Sequence, residues 1–256
     1  MSLHVEVSGA GPALLLIPGG AGDAATYGRI VGPLARARTV IAYDRRGFSR
    51  SPIAAQERAA KYDHDVEDAA RLIDEHAGGR ADVFGSSSGA IVALGLAARH
   101  PGKVGRVIAH EPPLTAFVPD AVAFDDVVEA FEREGTEAAM RRFAGITGLA
   151  HREPPIDQLP PAVVEVIRRI GANLPFWIEW ELRQYTRIRP DLGALPDGVV
   201  VAVGAGSGEQ FPARAARGLA RRLGREAVEM PGDHEGYVAV PDEFAARTEP
   251  LLRPAT

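Results

Sequence analysis

Short apolar runs rich in β-branched residues alternate along this chain with helix-length stretches, and that alternation limits the available folds more than any other feature. The runs are Val5 to Val7, Ala13 to Ile17, Val40 to Tyr43, Ala81 to Phe84, Val104 to Ala109 and Gly198 to Val203. Between them lie Ala24 to Ala35, Asp63 to His76, Ser88 to His100 and Pro212 to Leu223, each long enough for a helix, and a last strand is expected around Ala227 to Met230. Strands joined by helices of this size make βαβ units. The sequence therefore predicts an α/β fold, a mainly parallel sheet flanked by helices on both faces.

The alternation stops between Pro112 and Leu192. There "DAVAFDDVVEAFEREG", "TEAAMRRFAG", "PPAVVEVIRRIG" and "PFWIEWELRQYTR" space their apolar residues at three and four, with Pro154, Pro155, Pro160 and Pro161 as punctuation. Residues 113–192 are expected to form an inserted all-helical cap on a core made of 1–112 and 193–256. A chain of 256 residues buries enough surface for such a core.

Composition removes several function classes. The net charge is −5 and the arginines are scattered among acids along helices, a solvated-face pattern rather than a phosphate-binding patch, so nucleic acid is not an expected partner. Without cysteine there is no disulfide framework, thiolate zinc site or cysteine nucleophile. No apolar run approaches the roughly 20 residues of a membrane span, and "MSLHVEVSGAG" lacks a basic n-region and an apolar h-region. The expected setting is cytoplasmic, with a small-molecule substrate, no membrane partner and a homodimer left open.

The segment "VFGSSSGAIVAL" sits where strand chemistry gives way to helix chemistry. Gly-x-Ser-x-Gly fits one frame only, Gly85 to Gly89, which puts Ser87 at the apex of a sharp strand-to-helix turn. Its neighbours two positions away lack side chains so that strand and helix can approach. The helix N-terminus that follows offers free N–H groups and a favourable dipole for developing negative charge. Capping suffices to account for Ser86, while Ser88 matters through its backbone N–H.

At these residues the sequence resembles the α/β-hydrolase family, and the resemblance extends over nearly the whole chain. "ALLLIPGGAGDAATY" is similar to the family's oxyanion strand and loop, "VIAYDRRGFSRS" to its Asp-x-Arg-Gly-x-x-x-Ser loop, and "MPGDHEGYVAVPDEF" to its histidine loop. The resemblance implies Ser87 as nucleophile, His234 as its base, and the backbone N–H groups of Gly20 and Ser88 as the oxyanion hole. Of the seven histidines, His4, His64, His76 and His100 are explained by exposure or capping, and His151 falls in the cap. Asp44, Arg45 and Arg46 belong to a loop that is chiefly structural in the family. Pro18 stands where the family usually has histidine, which removes a side-chain brace on the oxyanion loop.

The triad acid is open at this level. The usual position, after "GVVVAVGAGS", holds Ser207, which cannot stabilise an imidazolium. Glu111, rigidly placed before Pro112 and Pro113, is favoured because a minority of the family carries its acid on the previous strand end; Glu209 is the runner-up and Asp233 ranks third. Phe176, Trp177 and Trp180 would share a helical face and line an apolar acyl or aromatic pocket, although docking of the cap accounts for them equally. The resulting expectation is a cofactor-free serine hydrolase, with no metal, acting on a carboxylic ester, thioester or lactone. The alternatives are a lyase, cyclase or cofactor-free oxygenase on the same fold, or a ligand-binding receptor. The aspartate nucleophile of dehalogenases and epoxide hydrolases is absent from the turn.

Overall fold

The computed structural model describes residues 2–120, 124–149 and 159–253. Seven strands form one sheet: β1 (Val5–Ser8), β2 (Ala13–Ile17), β3 (Thr39–Tyr43), β4 (Ala81–Ser86), β5 (Val104–His110), β6 (Val199–Gly204) and β7 (Val228–Met230). Their order is β1-β3-β2-β4-β5-β6-β7, antiparallel between β1 and β3 and parallel elsewhere. This is the mainly parallel sheet that the alternation predicts.

The inner strands β2 to β6 bury both faces, and the alternation of side chains shows which layer each feeds. Leu15, Ile17, Ile41, Tyr43, Val83 and Val107 pack into one core with α2 (Lys61–Ala77) and α3 (Ser88–Arg99). Their neighbours Leu14, Leu16, Val40, Phe84 and Ile108 pack into the opposite core with α1 (Gly28–Ala35) and the C-terminal helix Pro241–Leu251. The stretch Ala24 to Ala35 is two elements rather than one. Asp23 and Thr26 close a reciprocal cap around the 3-10 turn Ala24–Tyr27, and α1 begins only after it.

Between β5 and β6 the described elements are helical: α4 (Asp125–Glu134), α5 (Thr136–Thr147), α6 (Pro161–Phe176), a π turn Trp177–Leu182, and α7 (Arg183–Thr186). They share a third apolar cluster with Ala21, Phe48 and Phe211 from the sheet side. Pro154, Pro155 and His151 lie outside the described residues. After β6 come α8 (Phe211–Arg222), α9 (Gly236–Ala239) and α10 (Pro241–Leu251). No helix of the described residues is long and apolar enough to cross a membrane.

The parallel register sets the carboxyl ends level, pairing Ile17 with Gly85, Gly85 with Ala109, and His110 with Ala202. Segments that leave β2, β4, β5, β6 and β7 at this edge therefore meet above it.

Candidate active site

The three serines of the turn have three different environments. Ser87 stands between β4 and α3 at φ 55 and ψ −127, a conformation that L-residues rarely adopt. Its N–H donates to His110 O at 2.9 Å and its carbonyl accepts from Ala90 N at 2.9 Å, which hold a backbone strained by about 1–3 kcal/mol. The flanking glycines serve close approach: a Cβ on Gly85 would sit 2.3 Å from Gly89 O, and one on Gly89 2.2 Å from Ile17 O. Ser87 is half-buried and lines a cavity. The Ser86 hydroxyl pairs with His110 Nδ1 at 3.0 Å, and Ser88 Oγ donates to Glu181 at 2.6 Å.

Glu111 follows β5 with φ 48, a second strained residue at the same edge. The chain turn aims its carboxylate across the ends of β5 and β6, where Gly204 N–H donates to Oε1 at 2.8 Å and His234 Nδ1 meets Oε2 at 2.5 Å. Glu111 is fully buried and His234 is 8% exposed. Burial pushes the Glu111 carboxyl up, but the hydrogen bond and charge of His234 outweigh it and hold the group at about 2. An ionised carboxylate can only accept, so Nδ1 carries a ring proton, and in the neutral imidazole Nε2 is the nitrogen with the free lone pair. Among the described residues no hydrogen bond joins that ring to Ser87 Oγ; such contacts often tighten only when substrate is bound.

Ser207 is buried after β6, at the site where the usual acid would stand. The runner-up acid, Glu209, has a side chain 87% exposed and lies 3.9 Å from Arg217, away from the imidazole. Asp233 is exposed beside His234. The structure thus brings Glu111, and not these residues, to the His234 ring.

One residue the sequence reading passed over is His110. Its buried ring stacks on Phe84 at 6.2 Å and on His234 at 6.3 Å, and burial lowers its pKa to about 4. A histidine ending the apolar run "VGRVIAH" directly before Glu111 was the available signal.

A second feature missed is a buried set of charges beneath the serine turn. Arg45 reaches both oxygens of Glu181, at 2.8 and 2.9 Å, as well as Asp65 at 2.7 Å and Gly19 O at 2.9 Å. Lys61 and the Tyr185 hydroxyl each donate to the same Asp65 oxygen at 2.7 Å. Two cations and two carboxylates, all with fully buried side chains, balance to zero. Arg45 thereby braces the Gly19–Gly22 loop from below, in a place where Pro18 offers no side-chain hydrogen bond. Gly22 N→Gly19 O at 3.2 Å and Asn173 Nδ2→Ala21 O at 2.8 Å hold the rest of that loop. The N–H groups of Gly20 and Ser88 donate to none of the described residues.

The cavity over Ser87 and Ser88 is narrow, with a volume of about 30 Å³. Phe124, Phe143, Trp177, Leu182 and Phe211 form its apolar walls, with Glu181 and Tyr185 at the buried charge set. Phe176 and Trp180 are not among the lining residues. The expected shared face of Trp177 and Trp180 is corrected by the π turn: its wider i→i+5 winding brings positions four apart together, so Trp177 aligns with Glu181 instead. Phe176 packs edge-on against Phe48, with ring centroids 5.5 Å apart, and Trp180 lies under the Arg58 guanidinium at 5.7 Å. Among the described residues no cluster of three or more His, Asp or Glu could hold a metal ion.

A model of the alpha/beta hydrolase family matches residues 14–247. The chain is 34% identical over 263 residues to an uncharacterised hydrolase, YraK, of Bacillus subtilis, covering 98% of this chain and 92% of that protein. It resembles the crystal structure of an enol-lactonase from Burkholderia xenovorans with a TM-score of 0.73 at 20% identity, over 98% of this chain and 96% of the other. A thermophilic esterase from Thermogutta terrifontis gives a TM-score of 0.73 at 22% identity, over 98% and 93% of the two chains.

Proposed function

Because the chain belongs to the α/β-hydrolase family, we propose that it is a serine hydrolase that cleaves a carboxylic ester, thioester or lactone through an acyl-enzyme on Ser87. Ser87 Oγ attacks the carbonyl carbon while its proton passes to His234 Nε2. The carbonyl oxygen becomes an oxyanion held by the N–H groups of Gly20 and Ser88. The tetrahedral intermediate collapses, the C–O or C–S bond breaks, and the leaving group takes the proton from His234. Water, deprotonated by the same imidazole, then attacks the acyl-enzyme and releases the acid and Ser87. Glu111 fixes the productive tautomer of His234 and stabilises its cationic form.

One observation carries this reading: the 2.5 Å contact between Glu111 and His234 Nδ1, made at the same sheet edge as the strained Ser87. The helices described between β5 and β6 act as the cap over the cleft. Its aromatic walls and the zero net charge of the ion set at its base favour an uncharged, apolar acyl group. The test combines a fluorophosphonate label with a series of p-nitrophenyl esters. Labelling and turnover both lost in Ser87→Ala are the expected result. Labelling without turnover would indicate a receptor, and neither would indicate chemistry other than hydrolysis.

A further inference from the structure

We propose that the Trp177 indole N–H is a third hydrogen-bond donor to the reacting carbonyl oxygen, beside the amides of Gly20 and Ser88; this rests on the serine-hydrolase reading above. Trp177 is 8% exposed and lines the same cavity as Ser87 and Ser88. It turns its N–H edge, not its benzo ring, onto the oxyanion loop. A Cβ on Gly20 would stand 2.1 Å from Nε1 and 2.7 Å from each adjoining carbon, so the indole occupies the space a side chain would need. Gly20 does not have a positive φ, and this close approach is what requires the glycine.

Among the described residues no hydrogen bond from Nε1–H is found, and Nε1 is not one of the fully buried unpaired nitrogens. An indole N–H at a cavity wall is free to donate to an acceptor on a bound ligand. The nearest carboxylate is already engaged: Glu181 accepts from Ser88 Oγ and Arg45 on Oε1, and from Arg45 on Oε2 with Lys61 at 3.4 Å. Donors therefore gather here without an internal acceptor, and a substrate oxygen supplies one. A hydrogen bond to that oxygen strengthens as charge develops on it, which lowers the barrier rather than tightening substrate binding.

The indole is held where this requires. Phe143 packs edge-on against its ring with centroids 5.1 Å apart. Glu181, four residues on in the same π turn, ties that turn to Ser88, and Asn173 in the preceding helix ties α6 to Ala21 O.

Two replacements test the role: Trp177→Phe, and Trp177 replaced by 3-benzothienylalanine, which keeps the ring's shape with sulfur in place of N–H. Both are assayed on the best p-nitrophenyl ester and with a phenyl trifluoromethyl ketone, which forms a tetrahedral adduct with a reactive serine. The expected result is a fall in kcat of about tenfold or more, toward the 10²–10³ typical of an oxyanion donor, with KM within about twofold. The inhibition constant for the ketone should rise by the same factor. Unchanged kcat in the benzothienyl protein, or a rise in KM alone, overturns the proposal and leaves Trp177 as a pocket wall. Wild-type protein that neither turns over an ester nor labels at Ser87 overturns the parent reading and this one together; wild-type turnover with unaffected variants overturns this one alone.

Discussion

At the scale of single residues the site is defined by what each polar atom faces. Glu111 has its two carboxylate oxygens committed, one to Gly204 N–H and one to His234. Glu111→Gln presents an amide to Nδ1 and permits the wrong tautomer, so kcat should fall roughly 10⁴-fold while substrate affinity changes little. Glu209→Gln, at an exposed side chain, should leave the same steady-state parameters unaltered; the reverse ranking would reject Glu111 as the acid. The sequence carried much of this. Gly-x-Ser-x-Gly is legible because sterics demand both glycines, and Glu111 because a strand end followed by two prolines fixes it. His110 and Glu181 were harder to read: a polar side chain inside an apolar pattern stands out but carries no signature of its partner, and those partners lie 24 and 136 residues away.

At the scale of elements the main event is the π turn that ends α6. Reading "PFWIEWELRQYTR" with α-helical spacing put both tryptophans on one face; the wider turn instead delivers Trp177 and Glu181 to the cavity and sends Trp180 to Arg58. Nothing in the apolar spacing of six residues separates the two windings. The strands and helices α2, α3 and α8 were legible because their patterns repeat over whole elements, whereas α9 and α10 went unread. Glu181 also fastens its turn to the sheet edge through Arg45, with Asp65 and Lys61 completing the set. Removing one member leaves a buried cation without its full partner, so Glu181→Ala should lower stability to urea by about 3–5 kcal/mol. A loss below about 1 kcal/mol would mean that the charges are not held dry. Gly89→Ala, which forces a methyl against Ile17 O, should abolish fluorophosphonate labelling of Ser87 by displacing α3 from β2 even where circular dichroism stays native.

For the whole molecule the same groups couple folding to acidity. His110 titrates near 6.5 when unfolded and at about 4 when buried, and Glu111 near 4.5 when unfolded and at about 2 in place. In both windows the unfolded chain binds more protons, so stability is fully present above pH 6.5 and declines as pH falls. His110 contributes to the decline between about pH 6.5 and 4, and Glu111 between about pH 4.5 and 2, each on the order of 3 kcal/mol. Urea midpoints measured across this range should fall in both steps, and His110→Gln should flatten the upper one; an unchanged upper slope would contradict the burial of a neutral ring. The level strand ends carry one further consequence. On the proposed mechanism, which draws Gly20, Ser87, Glu111 and His234 from four separate returns of the chain to one edge, a nascent polypeptide is chemically inert until His234, the last of the four, has left the ribosome. Translation would then withhold the proposed base of the Ser87 hydroxyl until the strands that restrain that hydroxyl are already made.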